Sequence, residues 1–501
     1  MRFLYNLAAI LIVMIIIPIF MLRATRERGF VERIKQSFGF YPQDTIDKVA
    51  GKNAIWVHAA SVGEIVATSP LVREFRKKFP DSPILVSVVT TGGYEMAHRI
   101  IKDADAIIYF PLDLPFLASR VVGRIRPRVF LPVETELWPN FLKKAKQLDV
   151  PVMMVNGRIS DRSVKQYKYL LGMLREMIGT VKCFAMQSSI DADYIMRLGA
   201  PRELVTVTGN TKFDQAYTSV SMEERAALIQ ELGLSGASHI MIAGSTHRGE
   251  EELVLAAFAA VRERDPKVRL IIAPREVLRT MEVEHLCRKA GFTVNTRKNL
   301  QKGAEGGEDI VILDTVGELG RVYGLGDVIY IGGSLIPHGG HNILEPAAHG
   351  KAIIVGNQMF NFKDIHALFR NRNAVVTVAN GAELTRETLR LFGDAYERER
   401  LERETLAIIN ENKGASAKSA QILVDLLTAY EARRALRAQE RISAHRVRAT
   451  QKVANFQTYF IDLVHDKDVR GVSRRLIMGI FYAFSLIYEQ LVNLKLTMYR
   501  L

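Results

Sequence analysis

Short runs of β-branched and aliphatic residues alternate along most of this chain with longer stretches of helical periodicity, and that alternation constrains the fold more than any other feature. Parallel strands need a connection of a dozen or more residues, and an intervening helix supplies it, so the pattern is that of βαβ units. In the first half the candidate strands are residues 54–58, 84–89, 106–109, 129–132 and 152–156. In the second half they are 239–243, 269–273, 310–313, 328–331 and 352–355. Five strands in each half predict two doubly wound, Rossmann-like α/β domains joined near residues 209–221. The length of 501 residues, too great for one ordinary core, agrees with two domains.

The ends of the chain differ from its body. The formal net charge is +14, of which residues 1–35 carry +4 and residues 429–501 carry +7, leaving only +3 between them. That distribution predicts no nucleic-acid groove through the body and instead basic tails that meet an anionic surface. Residues 3–22 are uncharged and rich in Leu, Ile, Val, Met and Ala. As a helix rising 1.5 Å per residue they would span a hydrocarbon layer of about 30 Å. Arg23, Arg26, Arg28, Arg33 and Lys35 follow, and no small-residue cleavage site intervenes. The expectation is an uncleaved single-pass anchor at the inner (plasma) membrane, with the rest of the chain on the cytoplasmic face.

At the other end Arg434, Arg441 and Arg448 recur every seven residues, with Arg437 and Lys452 close to the same helical face. Residues 476–488 are then uncharged and rich in Phe, Tyr, Ile and Leu. That segment is short for a span and reads either as an interfacial helix or as a helix packed on the body. The expected organisation is an anchor and basic flank at 1–35, domains at 36–215 and 216–428, and an extension at 429–501. A composition of 48% hydrophobic and 24% charged residues excludes wholesale disorder. Two cysteines, Cys183 and Cys287, cannot form a disulfide framework or a four-thiolate zinc site.

Ligands of open α/β sheets sit at the carboxyl ends of the strands, so the residues after each strand matter most. His58-Ala59-Ala60-Ser61-Val62-Gly63-Glu64 follows the first strand. Glu64 there either complements the dipole of the next helix or serves as a catalytic carboxylate in the cleft. Pro132-Val133-Glu134-Thr135-Glu136-Leu137-Trp138 follows the fourth, placing two carboxylates beside a Trp, useful in a polar cleft or merely solvated on a loop. Lys212 lies near the join, where a lone Lys by itself reads as a surface residue. Gly244-Ser245-Thr246-His247-Arg248-Gly249-Glu250 has the look of an anion-binding turn. Pro274-Arg275 ends a strand with a guanidinium suited to phosphate. In the stretch from Gly332 to Glu345, Asn342 reads as a helix N-cap and Glu345 as its box partner or as a ligand for ribose hydroxyls. His338, His341 and Glu345 also admit a metal, but the flanking glycines favour backbone recognition of an anion, and no metal is expected.

Taken in order, HAASVGE, VETELWPN, GNTKFD, GSTHRGEEE and GGSLIPHGGHNILEPAAHGKAIIVG resemble the 3-deoxy-D-manno-octulosonic acid (Kdo) transferases. The resemblance runs from the N-terminus to about residue 428. It implies a GT-B glycosyltransferase with two domains facing a cleft, moving Kdo from CMP-Kdo, a co-substrate rather than a cofactor, to a lipid A precursor. It further implies Glu64 as general base, and Glu134 and Lys212 as stabilisers of the transition state. CMP would be bound by Pro274 and Arg275, by Gly317, Glu318 and Leu319, and by Asn342, Ile343, Leu344 and Glu345. The extension beyond residue 428 is not accounted for by the resemblance, and anionic lipid of the inner membrane is its expected partner. Two other functions stay open on the sequence: a GT-B enzyme using a UDP-sugar, and a membrane-anchored binding protein without turnover.

Overall fold

The computed structural model describes residues 5–15, 30–159, 171–215, 220–464 and 479–490. They fall into two compact units, Met1–Val424 and Asp425–Leu501. The first unit contains two seven-stranded sheets, and every strand pairing in both is parallel.

The first sheet comprises β1 (Ile55–His58), β2 (Ile84–Val88), β3 (Ala106–Tyr109), β4 (Val129–Pro132), β5 (Val152–Gly157), β6 (Val181–Met186) and β7 (Val205–Val207). Their spatial order is β3-β2-β1-β4-β5-β6-β7. The second comprises β8 (Ile240–Thr246), β9 (Arg269–Pro274), β10 (Val294–Thr296), β11 (Ile310–Ile312), β12 (Val328–Ile331), β13 (Ala352–Gly356) and β14 (Val376–Val378). These lie in the order β10-β11-β9-β8-β12-β13-β14. Strand order reverses between β1 and β4 and between β8 and β12, the crevices where such sheets bind ligands. All ten strands expected from the sequence are present, but each half has seven rather than five. β6, β7, β10 and β14 carry no long apolar run to announce them.

Helices cover both faces, so the central strands read as unbroken apolar runs with every residue buried. Trp56 of β1 is fully buried and meets Phe130 and Phe141 edge to face, while its Nε1 donates to Ser87 Oγ at 2.8 Å. Burial of that ring satisfies its one polar atom, as a core indole requires.

The helix Val62–Lys78 carries Pro70 in its interior. Proline has no N–H to give the carbonyl four residues back, which here belongs to Val66. Gln215 Nε2 takes up that carbonyl at 3.1 Å, and Thr211 Oγ1 donates to the neighbouring Ala67 carbonyl at 2.7 Å. The stretch around Lys212 is thereby fastened to the first helix of the first sheet. Phe213 meanwhile packs into the core of the second sheet, and the Asp214 carboxylate accepts the amides of Gly414 and Ser416 at 2.5 and 2.6 Å. The long helix Ala415–Val464 starts at that point.

Beyond Val424 the helix carries Arg434, Arg437, Arg441, Arg448 and Lys452, all exposed, as expected of a basic stripe. Residues 479–490 are helical, with Ile480, Phe481, Phe484 and Ile487 exposed. Among the described residues no helix is long and apolar enough to cross a membrane. The apolar run 3–22 is described only at 5–15, which is helical; its remainder lies outside the described residues. Within 5–15, Tyr5 donates to Asp113 Oδ2 at 3.0 Å, and Asn6 accepts from Asn140 Nδ2 at 2.9 Å.

Candidate active site

The loops after β1, β8, β9 and β12 border a cleft of about 790 Å³ between the two sheets, and Glu134 of the loop after β4 meets it through Lys212. From the first sheet it is lined by Val62, Gly63 and Val66 and, near the join, by Lys212. From the second it is lined by Ser245, Arg275, His341, Asn342, Leu344 and Glu345.

Glu64 sits in the first turn of the helix Val62–Lys78, whose N-cap is Ser61. Its carboxylate turns back on the loop, accepting from Ala60 N and Ser61 Oγ, both at 2.7 Å. These two bonds favour the charged form. Burial and the nearby Glu136 carboxylate outweigh them, so the Glu64 pKa is pushed up to about 7.

Glu136 belongs to a buried polar chain that joins the first two motifs. Trp138 Nε1 lies 3.1 Å from Glu136 Oε2 and 3.2 Å from His58 Nε2, and His58 Nδ1 reaches Ser87 Oγ at 3.0 Å. Trp138 is therefore both a partial plug of the core and a donor to the loop. Glu134 follows β4 with a left-handed backbone, φ 56°, which turns its side chain toward the join. Burial raises its pKa, and Lys212 Nζ, 4.0 Å from its Oε1, and Arg158 counter that. Lys212 is placed by its own loop: Asn210 Oδ1 accepts the Lys212 amide at 3.0 Å, and Asn156 Oδ1 accepts that of Thr211 at 3.0 Å. Far from a stray surface residue, Lys212 is held in the cleft at one-fifth exposure.

On the second sheet the turn after β8 gives its His247 amide to a carboxylate of the chain itself. The fully buried Glu250 occupies it, accepting from His247 N at 3.1 Å and, across the crevice, from Gly333, Ser334 and Leu335 N at 2.7 to 3.1 Å and Tyr330 Oη at 2.7 Å. The anion in this turn is the chain's own. Asn342 is not the N-cap of the next helix, which spans Leu344–Ala348 with Ile343 at its cap. Asn342 Oδ1 accepts from Leu344 N at 3.0 Å, while its Nδ2 donates to Glu345 Oε1 at 3.1 Å, so Asn342 orients the Glu345 carboxylate directly. Burial raises the Glu345 pKa, opposed by Asn342 and Arg275. Finally, Ile343, Leu344 and Pro274 are buried, which leaves main chain as their chief means of touching a ligand.

Glu318 is not among the cleft-lining residues. Its carboxylate is engaged by Thr315 Oγ1 at 2.5 Å and Arg297 Nε at 3.3 Å. The loop Gly317 to Leu319 still approaches the site, since a Cβ on the adjacent Gly320 would lie 3.8 Å from Glu345 Oε2. Three histidines also meet here, His247, His338 and His341. Glu345 is not part of the group. Burial lowers the basicity of His247, and burial with repulsion from His247 and Arg275 lowers that of His341 to about 3.

The profile of the family described as 3-deoxy-D-manno-octulosonic-acid transferase (kdotransferase) matches residues 32–215. A 3-deoxy-D-manno-octulosonic acid transferase of Haemophilus influenzae is 32% identical over 430 residues, 86% of this chain and 98% of the relative. A probable mitochondrial enzyme of the same name from Arabidopsis thaliana is 30% identical over 66% of this chain and 75% of its own length. Among solved structures, one from Listeria monocytogenes named for UDP-N-acetylglucosamine 2-epimerase aligns at TM-score 0.50 and 12% identity over 76% of this chain and 97% of its own, a likeness of fold alone. Two parallel α/β sheets of the GT-B type, the five ordered motifs and a relative matched over nearly its whole length place this glycosyltransferase in the 3-deoxy-D-manno-octulosonic acid transferase family.

Proposed function

We propose that the chain transfers Kdo from CMP-Kdo to a lipid A precursor, lipid IVA, in lipopolysaccharide core biosynthesis, with inversion at the anomeric carbon. The observation that carries this reading is a carboxylate titrating near neutrality, Glu64, in a turn whose neighbours line the same cleft as Lys212, Arg275 and Glu345. Glu64 takes the proton of the acceptor hydroxyl as its oxygen attacks the anomeric carbon. The bond to the CMP phosphate oxygen breaks, and its electron pair stays on the phosphate. Arg275 and Lys212 face that growing charge as preorganised cations. Glu134 holds Lys212 in place and offers negative charge to a cationic sugar ring. Glu345, oriented by Asn342, accepts from the ribose hydroxyls, and the main chain of Pro274, Gly317 to Leu319, Ile343 and Leu344 completes the nucleotide site.

Transfer from CMP-Kdo to a tetra-acylated lipid A precursor, with products resolved by mass, tests the reaction and counts the sugars added. CMP should also raise the unfolding temperature where UDP does not. No transfer by the wild type, with protection by UDP, would support a UDP-sugar enzyme instead. CMP-Kdo binding without consumption above hydrolysis would support a non-catalytic relative.

The uncharged run at 3–22 with its basic flank supports a single-pass anchor at the inner membrane, with the cleft on the cytoplasmic face. The exposed cations from Arg434 to Lys452 and the apolar helix at 479–490 support binding of the extension to anionic lipid. Each cation near such a surface is worth about 1 kcal/mol. Deleting residues 429–501 should lower turnover on lipid acceptor in anionic vesicles severalfold and leave CMP affinity unchanged. Equal turnover by the truncated and full chains would remove the lipid-binding role.

A further inference from the structure

We infer that His247, His338 and His341 form a binding site for one transition-metal ion of the imidazole-preferring class, with Zn2+ as its representative. One ring nitrogen from each lies within 4.8 Å of one from each of the others, although His247 comes from the turn after β8 and the other two from the loop after β12. The inference stands apart from the reading of the reaction, which uses none of the three rings.

The arrangement is built rather than incidental. The Glu250 carboxylate fixes both loops at once, through His247 N on one side and the amides of Gly333 to Leu335 on the other. Gly333 sits at φ +67°, and a Cβ there would come within 3.1 Å of His341 Cδ2 and 3.2 Å of His338 Cδ2. A side chain at this left-handed position would be strained and would crowd both rings. The Gly340 amide then closes the loop on the Gly333 carbonyl at 2.7 Å, and Asn361 Nδ2 holds the His338 carbonyl at 3.1 Å.

Without an ion, His247 and His341 satisfy one another: their Nε2 atoms are 2.8 Å apart, one donating and the other accepting. A tetrahedral ion at about 2.0–2.1 Å from each nitrogen sets such ligand atoms about 3.3–3.4 Å apart. The rings therefore need to part by about half an ångström, and the donor ring must move its Nε2 proton to its own Nδ1, so that two neutral rings each offer an Nε2 lone pair to the ion. Three neutral nitrogen donors suit Zn2+, Co2+, Ni2+ or Cu2+ and not Mg2+, which takes oxygen ligands. His338 is exposed and gives the ion a way in.

The test is calorimetric titration of the full, tag-free chain, stripped with chelator, with Zn2+ alone, and with Co2+ as a coloured probe. One Zn2+ per chain is expected, Mg2+ should not compete, and Co2+ should show the visible absorption of tetrahedral coordination. His247→Ala, His338→Ala and His341→Ala should each weaken Zn2+ by at least about tenfold, since even outer-shell changes cost about 10–100-fold. His338→Ala, at an exposed position, keeps the test valid if either of the other variants folds poorly. No Zn2+ bound by the wild type, or binding unchanged in the variants, would overturn the site.

Discussion

Glu64→Gln is expected to lower kcat for transfer by about 10²–10⁴-fold, the usual worth of a positioned general base. The substitution keeps the size of the side chain and one oxygen for the Ala60 amide, and its NH2 group can donate to Ser61 Oγ where the second carboxylate oxygen accepted from it, so the helix start survives. What it removes is the ability to hold a proton. In the wild type kcat/KM should rise with pH through an acid limb near 7, because below that value Glu64 is protonated and idle. In Glu64→Gln that limb should be gone. Stability should move the other way. A carboxyl group whose native pKa is raised binds its proton more tightly folded than unfolded, so its contribution is present below the unfolded value and lost as pH rises through about 7. Glu64→Gln should therefore unfold at a higher temperature than the wild type at pH 8 and at a similar temperature near pH 4. The gain at pH 8 is on the order of 1–3 kcal/mol. A variant with an intact acid limb and full turnover would move the base elsewhere, with Glu134 the next candidate.

Lys212→Ala should cost about 10²–10³ in kcat, the loss seen when one preorganised charge-stabilising group is deleted. Here the cation is specified from several sides: the Asn210 and Asn156 side chains fix its loop, Thr211 and Gln215 fasten that loop to the base-bearing helix, and Glu134 lies 4.0 Å from its Nζ. Lys212→Arg retains the charge but replaces a compact ammonium with a planar fork, so it should recover only part of the rate. Single-turnover measurement at saturating CMP-Kdo separates this loss from one of binding. A Lys212→Ala variant whose KM alone rises would reduce Lys212 to a binding group.

The central strands were legible because burial on both faces demands unbroken apolar runs, and β1, β4, β8 and β12 have them. β6 was hidden because Lys182 and Cys183 break its run, an exposed and a half-buried residue in an otherwise buried strand. β7, β10 and β14 are three-residue strands at the sheet edges, too short to carry a pattern. Glu64, Glu134 and Arg275 stood out because each follows a strand at the end where ligands bind. Lys212 could be weighed only through the resemblance, since its order comes from contacts with Ala67, Val66 and Asn156 that no local pattern reveals. The same holds for Glu250, which local spacing assigns to a helix start and the fold turns inward onto residues more than 80 positions away. His247 joins His341 across 94 residues, a meeting that depends wholly on β8 and β12 being neighbours.

Pro70 has an effect well beyond its own helix. By leaving the Val66 carbonyl for Gln215, it ties the loop of Lys212 to the first sheet, while Phe213 and Asp214 tie the same loop to the second. Lys212 is thus braced from both sheets and lines one cleft with Arg275. Two cations held in one cleft repel each other, and an anionic leaving group between them turns that repulsion into attraction on both sides. Loss of CMP from the product complex would restore the repulsion.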